Sequence, residues 1–183
     1  EFTNETYDRY VTELSKYIGQ DIDLPGVGDG CGATEIGYMY GQYKRFNEQY
    51  GRIGRGVLWG GTPRGLEATG IGMVFFSKAL LASKKMDFKD KRVLITGSHY
   101  ISLAIAQKVI ELGGIPITFS DHSGHIYEPD GIDNAKLKTI KKIKGERGAR
   151  VGRYIIASTT AKFSEPENIF DIPCDYVYNC SRV

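Results

Sequence analysis

Arg92-Val93-Leu94-Ile95-Thr96-Gly97-Ser98-His99-Tyr100-Ile101-Ser102 decides the reading of this chain. A short, mostly apolar run from Arg92 to Thr96 leads into a glycine turn, and Ile101, Leu103, Ile105, Val109 and Leu112 then recur at helical spacing up to Gly113-Gly114. A second apolar run, residues 115–119, ends at Ser120-Asp121. Short apolar runs joined by a helix are what parallel strands covered on both faces require, and the right-handed crossover then sets them side by side. The Gly97 turn falls at their carboxyl edge, where the N–H groups opening a helix can receive phosphate oxygens. This is the layout of a dinucleotide-binding βαβ unit, with Gly97, Ser98, His99 and Tyr100 in its turn and Ser120 and Asp121 at the end of its second strand.

Outward from that unit the pattern stays α/β. Residues 67–83 read as a helix with Ile71, Val74, Phe75, Leu80 and Leu81 as its buried stripe. Pro129-Asp130-Gly131 reads as a turn, residues 134–144 as a helix and residues 175–178 as a last strand. Toward the start, residues 5–18 form an amphipathic helix. A glycine-dense loop follows from Pro25 to Gly32, and a second helix opens at Thr34 as N-cap and runs to about Phe46. The stretch from Gly51 to Gly65 is again rich in glycine around Trp59.

Composition excludes several classes of function. A net charge of +2 lacks the concentrated basic excess of a nucleic-acid surface, and the lysines between Lys136 and Arg153 read as a solvated helix face. No apolar run is long enough to span a bilayer, and no signal pattern opens the chain. Cys31, Cys174 and Cys180 are widely spaced and lack neighbouring ligands, so reduced thiols and no metal site are expected. His122 and His125 read as surface residues. The expected location is the cytoplasm or an organellar matrix, not the secreted space.

The segment from Thr34 to Arg45, TEIGYMYGQYKR, resembles the EIGYxxGQYKR segment of hexameric, microbial-type, NADP-linked glutamate dehydrogenases. Trp59-Gly60-Gly61, Glu67-Ala68-Thr69-Gly70, Ser120-Asp121, the run from Ile126 to Ile132 and Ile172-Pro173-Cys174-Asp175 follow in the same order. The resemblance implies a partial Rossmann-type parallel sheet with flanking helices, preceded by the rear part of an α/β substrate domain. Residues 1–61 would belong to that substrate and oligomerisation domain, and residues 62–183 to the dinucleotide-binding domain. It implies reversible oxidative deamination of glutamate to 2-oxoglutarate and ammonium, and a homo-oligomer or a subunit of a larger assembly. The lysines of the substrate site would lie before residue 1, and the rest of the cofactor domain beyond Val183.

Several positions depart from the family pattern. The family's PAGDIGVGGREIGY loop becomes residues 25–38, where Asp29 is the one carboxylate able to handle the proton, or else an ordinary turn aspartate. The arginine before the EIGY motif is Thr34, and the arginine of SLIRPE falls on Gly65, with Arg64 one place early. Thr69 keeps the hydroxyl that the family turns to the nicotinamide, or bonds within its helix. The family's GSGNVA becomes GSHYIS, with His99 where a glycine lets backbone approach the pyrophosphate. Asp121 suits the ribose hydroxyls of NAD, whereas Ser120, His122 and Ser123 suit the 2′-phosphate of NADP, which is the expected cofactor. The alternative is a non-catalytic relative that binds neither cofactor and serves as a structural or binding subunit of a larger assembly.

Overall fold

The computed structural model describes residues 4–19, 22–25, 32–46, 67–146, 148–166 and 168–180. The chain divides into two compact units, Glu1–Leu66 and Glu67–Val183.

In the first unit, α1 (Asn4–Leu14) and α2 (Ala33–Phe46) bury Val11, Ile18, Ile36, Met39 and Tyr43 against one another. α1 ends earlier than its periodicity suggested. Thr34 is not the cap of α2. The helix starts two residues sooner, with Ile36 N–H donating to Gly32 C=O at 3.1 Å and Glu35 reaching back to accept from Gly32 N–H at 2.8 Å. This is the carboxylate half of a capping box, and it explains the glutamate of the motif as a helix-starting residue.

The second unit holds α3 (Ala68–Ser83), β1 (Arg92–Ile95), α4 (Tyr100–Glu111), β2 (Ile115–Pro116), β3 (Thr118–Asp121), β4 (Gly124–Tyr127), α5 (Asn134–Gly145), β5 (Lys162–Ser164) and β6 (Tyr176–Tyr178). β1 lies between β2 and β6, parallel to both, with Val93, Leu94 and Ile95 fully buried. The side chains of Val93 and Ile95 join Ile105, Val109, Phe119, Ile126, Leu137 and Ile140 in the core, as the apolar runs implied. α4 ends in a Schellman motif: Gly113 has φ +84°, its N–H reaches Ile110 C=O, and Gly114 N–H reaches Val109 C=O at 2.9 Å.

Two expectations are corrected here. The strand over residues 115–119 is broken, because only Ile115 and Pro116 pair with β1, while Thr118–Asp121 turns its backbone to β4 in an antiparallel hairpin extended by β5. Side-chain hydroxyls complete the abandoned ladder. Thr118 Oγ1 accepts from Ile95 N–H at 2.9 Å and donates to Ile95 C=O at 3.0 Å, and Ser120 Oγ accepts from Gly97 N–H at 2.8 Å. The buried stripe of α3 is also narrower than its sequence suggested. Val74 is buried and Ile71 and Leu81 are half-buried, but Phe75 and Leu80 are exposed. α3 meets α4 through Gly70, where an added Cβ would stand 2.6 Å from Ile101 carbonyl oxygen.

A polar cluster anchors the hairpin. Glu128 is fully buried and its carboxylate accepts from the hydroxyls of Thr160, Ser158 (2.7 Å) and Tyr154 (3.2 Å), with Lys136 Nζ at 3.4 Å. Burial alone would raise its pKa, but the Thr160 and Ser158 hydrogen bonds, the Lys136 charge and the Tyr154 bond outweigh burial and hold it below the usual carboxylate range. His125, expected at the surface, is buried in β4, whereas His122 is exposed in the hairpin turn. Among the described residues no helix is long and apolar enough to cross a membrane, and no group of side chains is arranged to hold a metal ion.

Candidate functional site

Gly97 follows β1 with φ +76°, a conformation that glycine adopts without strain. An added Cβ there would stand 2.8 Å from Ser102 Oγ and 3.3 Å from Cys180 carbonyl oxygen. Ser98 is buried. His99 is the N-cap residue of α4 in extended backbone and makes no side-chain capping bond. The first N–H groups of a helix have no partner within it, and here the N-cap side chain leaves them uncovered. Their dipoles sum toward the carboxyl edge of the sheet, where they favour an anion. Tyr100 lies half-buried in the same turn, its ring centroid 5.8 Å from that of His99. Ser102 is fully buried and donates to Thr96 C=O at 3.0 Å, which fixes the turn from below.

Thr69 is exposed in the first turn of α3, next to Gly70, whose close contact with Ile101 brings that turn to the start of α4. Thr69 thus stands one residue before the point where α3 meets α4, and Gly97, Ser98, His99 and Tyr100 follow one another in the turn that opens α4. Ser120 joins them through its bond to Gly97 N–H. Asp29 and Arg64 lie outside the described residues.

Asp121 has a different environment from the one its position suggested. Its Oδ1 accepts from Ser123 N–H at 2.9 Å and also from the Ser123 hydroxyl, its Oδ2 accepts from Val151 N–H at 2.7 Å, and Lys144 Nζ lies 3.5 Å away. Burial raises its pKa, but the Ser123 side-chain bond, the Val151 and Ser123 N–H bonds and the Lys144 charge together leave it lowered. Both oxygens of this carboxylate are engaged within the chain. Beside the β3 end opens a cavity of about 630 Å³ lined by His122, Ser123, Arg150, Arg153, Ile156 and Phe163, among others. The two arginines had no place in the sequence reading, because they looked like part of a solvated basic run. Only the fold brings Arg150 back to the turn after β3.

Comparison with known proteins gives a consistent result. The profile of the Glutamate/Leucine/Phenylalanine/Valine dehydrogenase family matches residues 60–182. The NADP-specific glutamate dehydrogenase of Helicobacter pylori (strain J99) is 34% identical over 90% of this chain and 38% of its own length. The NAD(P)-specific glutamate dehydrogenase of Xylanibacter ruminicola is 39% identical over 79% of this chain and 33% of its own. The crystal structure of Plasmodium falciparum glutamate dehydrogenase superposes on 98% of this chain with a TM-score of 0.86 at 32% identity, using 39% of that chain. The chain therefore spans well under half the length of the relatives it matches.

Proposed function

The chain belongs to the glutamate/leucine/phenylalanine/valine dehydrogenase family, and from that membership we propose that it serves in an NADP-linked glutamate dehydrogenase. Such an oxidoreductase interconverts glutamate with 2-oxoglutarate and ammonium. The observation that carries the reading is the uncapped α4 N-terminus above Gly97 at the carboxyl edge of a parallel sheet, the place where a dinucleotide pyrophosphate is received. A bound nicotinamide supplies the hydride donor or acceptor. This chain's part is to hold the cofactor through the turn from Gly97 to Tyr100, with Thr69 toward the nicotinamide end and Ser120 at the ribose side.

NADP is favoured over NAD by the arrangement after β3. Asp121 has both oxygens committed to Ser123, Val151 and Lys144, which leaves it a poor acceptor for ribose hydroxyls. Arg150, Arg153 and His122 line the cavity beside it and suit a 2′-phosphate. In the same reading residues 1–61 belong to the substrate domain and residues 62–183 to the cofactor domain. Asp29 handles the proton as the imine forms and collapses, and Arg64 serves in cofactor binding. A homo-oligomer and a reducing compartment, cytoplasm or organellar matrix, complete the reading; the free thiols of Cys174 and Cys180 agree with the second.

The test is NADPH oxidation by the complete protein with 2-oxoglutarate and ammonium together, measured against omission of each. Turnover that needs all three supports the reading. Absence of both NADPH binding and turnover in the complete protein moves it to the non-catalytic subunit.

A further inference from the structure

β1 and β6 are neighbours, yet the chain leaves β1 toward β2 on one side and comes back to β6 on the other. Their carboxyl ends flank the crevice at which the sheet order reverses, and ligands of open α/β sheets enter there. In this chain side chains cross that crevice. Thr96 Oγ1 donates to Asn179 Oδ1 at 2.8 Å and accepts from Cys180 N–H at 2.8 Å. Thr96 is buried, so these bonds form a floor. The crossing at the mouth is His99, which is exposed and places Nε2 3.0 Å from the Cys180 carbonyl oxygen. A carbonyl oxygen only accepts, so Nε2 carries the proton in this contact. The backbone of His99, at φ −89° and ψ −178°, is ordinary extended chain and imposes no choice of side chain.

We propose that His99 is a strap across the crevice, its ring closing the mouth by donating to Cys180 C=O and swinging aside when a dinucleotide enters. The proposal rests on the cofactor reading above and adds to it a closed state particular to this chain. Entry breaks one hydrogen bond, so the strap weakens cofactor binding by the worth of that bond, a factor of about five. It also frees the Cys180 carbonyl to accept from whatever occupies the crevice.

The experiment is calorimetric titration of the protein with NADPH, with NADH alongside. His99→Ala keeps the extended backbone and removes the donor, and it binds about fivefold tighter than the wild type. His99→Gln, whose side-chain amide can donate to the same carbonyl, restores affinity to within about twofold of the wild type. Nitrogen NMR of the His99 ring shows the Nε2–H tautomer in the free protein and loss of that hydrogen bond at saturating NADPH. Equal or weaker binding by His99→Ala, with the wild type still binding, overturns the strap and leaves the cofactor reading standing. If neither protein binds NADPH or NADH, the cofactor reading fails and the strap fails with it.

Discussion

The Gly97 turn and the Glu128 cluster lie in the same unit and treat polar groups in opposite ways. Around Glu128 a buried carboxylate meets three hydroxyls and a lysine. At the Gly97 turn a helix opens with no side-chain cap on its N–H groups. Satisfied buried polar groups hold a fold in one arrangement, whereas uncommitted donors at an edge hold capacity for a ligand. The contrast separates the residues that keep this unit together from those available for its chemistry.

The largest expected effect comes from breaking the first region. Glu128→Ala leaves Tyr154, Ser158, Thr160 and Lys136 without their common partner and lowers unfolding free energy by about 3 kcal/mol, read from urea denaturation. The same cluster sets an acid limit. Its folded-state pKa is lowered from 4.5, so its stabilisation is fully present above that value and is lost as pH falls through the depressed folded value. Glu128→Gln therefore flattens the stability profile in acid, which thermal melts across that range will show. Gly97→Ala acts on the second region. A non-glycine residue at φ +76° is strained and its Cβ meets Ser102, so about 2 kcal/mol of stability goes, and NADPH affinity with it.

Arg150→Ala separates the regions most sharply. It leaves the melting temperature near that of the wild type and weakens NADPH binding by about tenfold while sparing NADH. An equal loss for both cofactors would detach Arg150 from the 2′-phosphate. The smallest effect is at Asp133, the N-cap of α5, whose side chain accepts from Lys136 N–H at 2.8 Å. Asp133→Ala costs about 1 kcal/mol by denaturation and leaves cofactor affinity unchanged.

The sequence showed the Gly97 region well, because β1 is apolar throughout after Arg92, α4 keeps its period, and the glycines at 97 and 113 both need positive φ. It did not show the hairpin. Thr118 and Ser120 look like ordinary strand residues, and nothing local reveals that their hydroxyls replace backbone pairing with β1. Glu128 was legible as part of a motif but not as a buried acceptor, since its partners Ser158 and Thr160 lie some thirty positions further along. Phe75 and Leu80 fit a helical stripe by period, yet each stays about half exposed, and period alone does not say what an apolar face meets. Asp121 had the position of a ribose acceptor, and a distant N–H at Val151 uses one of its oxygens.

Thr118 has a mechanical consequence. A single hydroxyl answers both the N–H and the C=O of Ile95, two residues before the turn, so it does the work of a peptide group while leaving its own strand free to bend away. That hydroxyl is the bolt between β1 and β3 just beneath the turn, with backbone bonds from Ile117 N–H to Val93 C=O and from Ser120 N–H to Gly97 C=O on either side of it, and a methyl group in its place would leave the N–H and C=O of Ile95 unanswered.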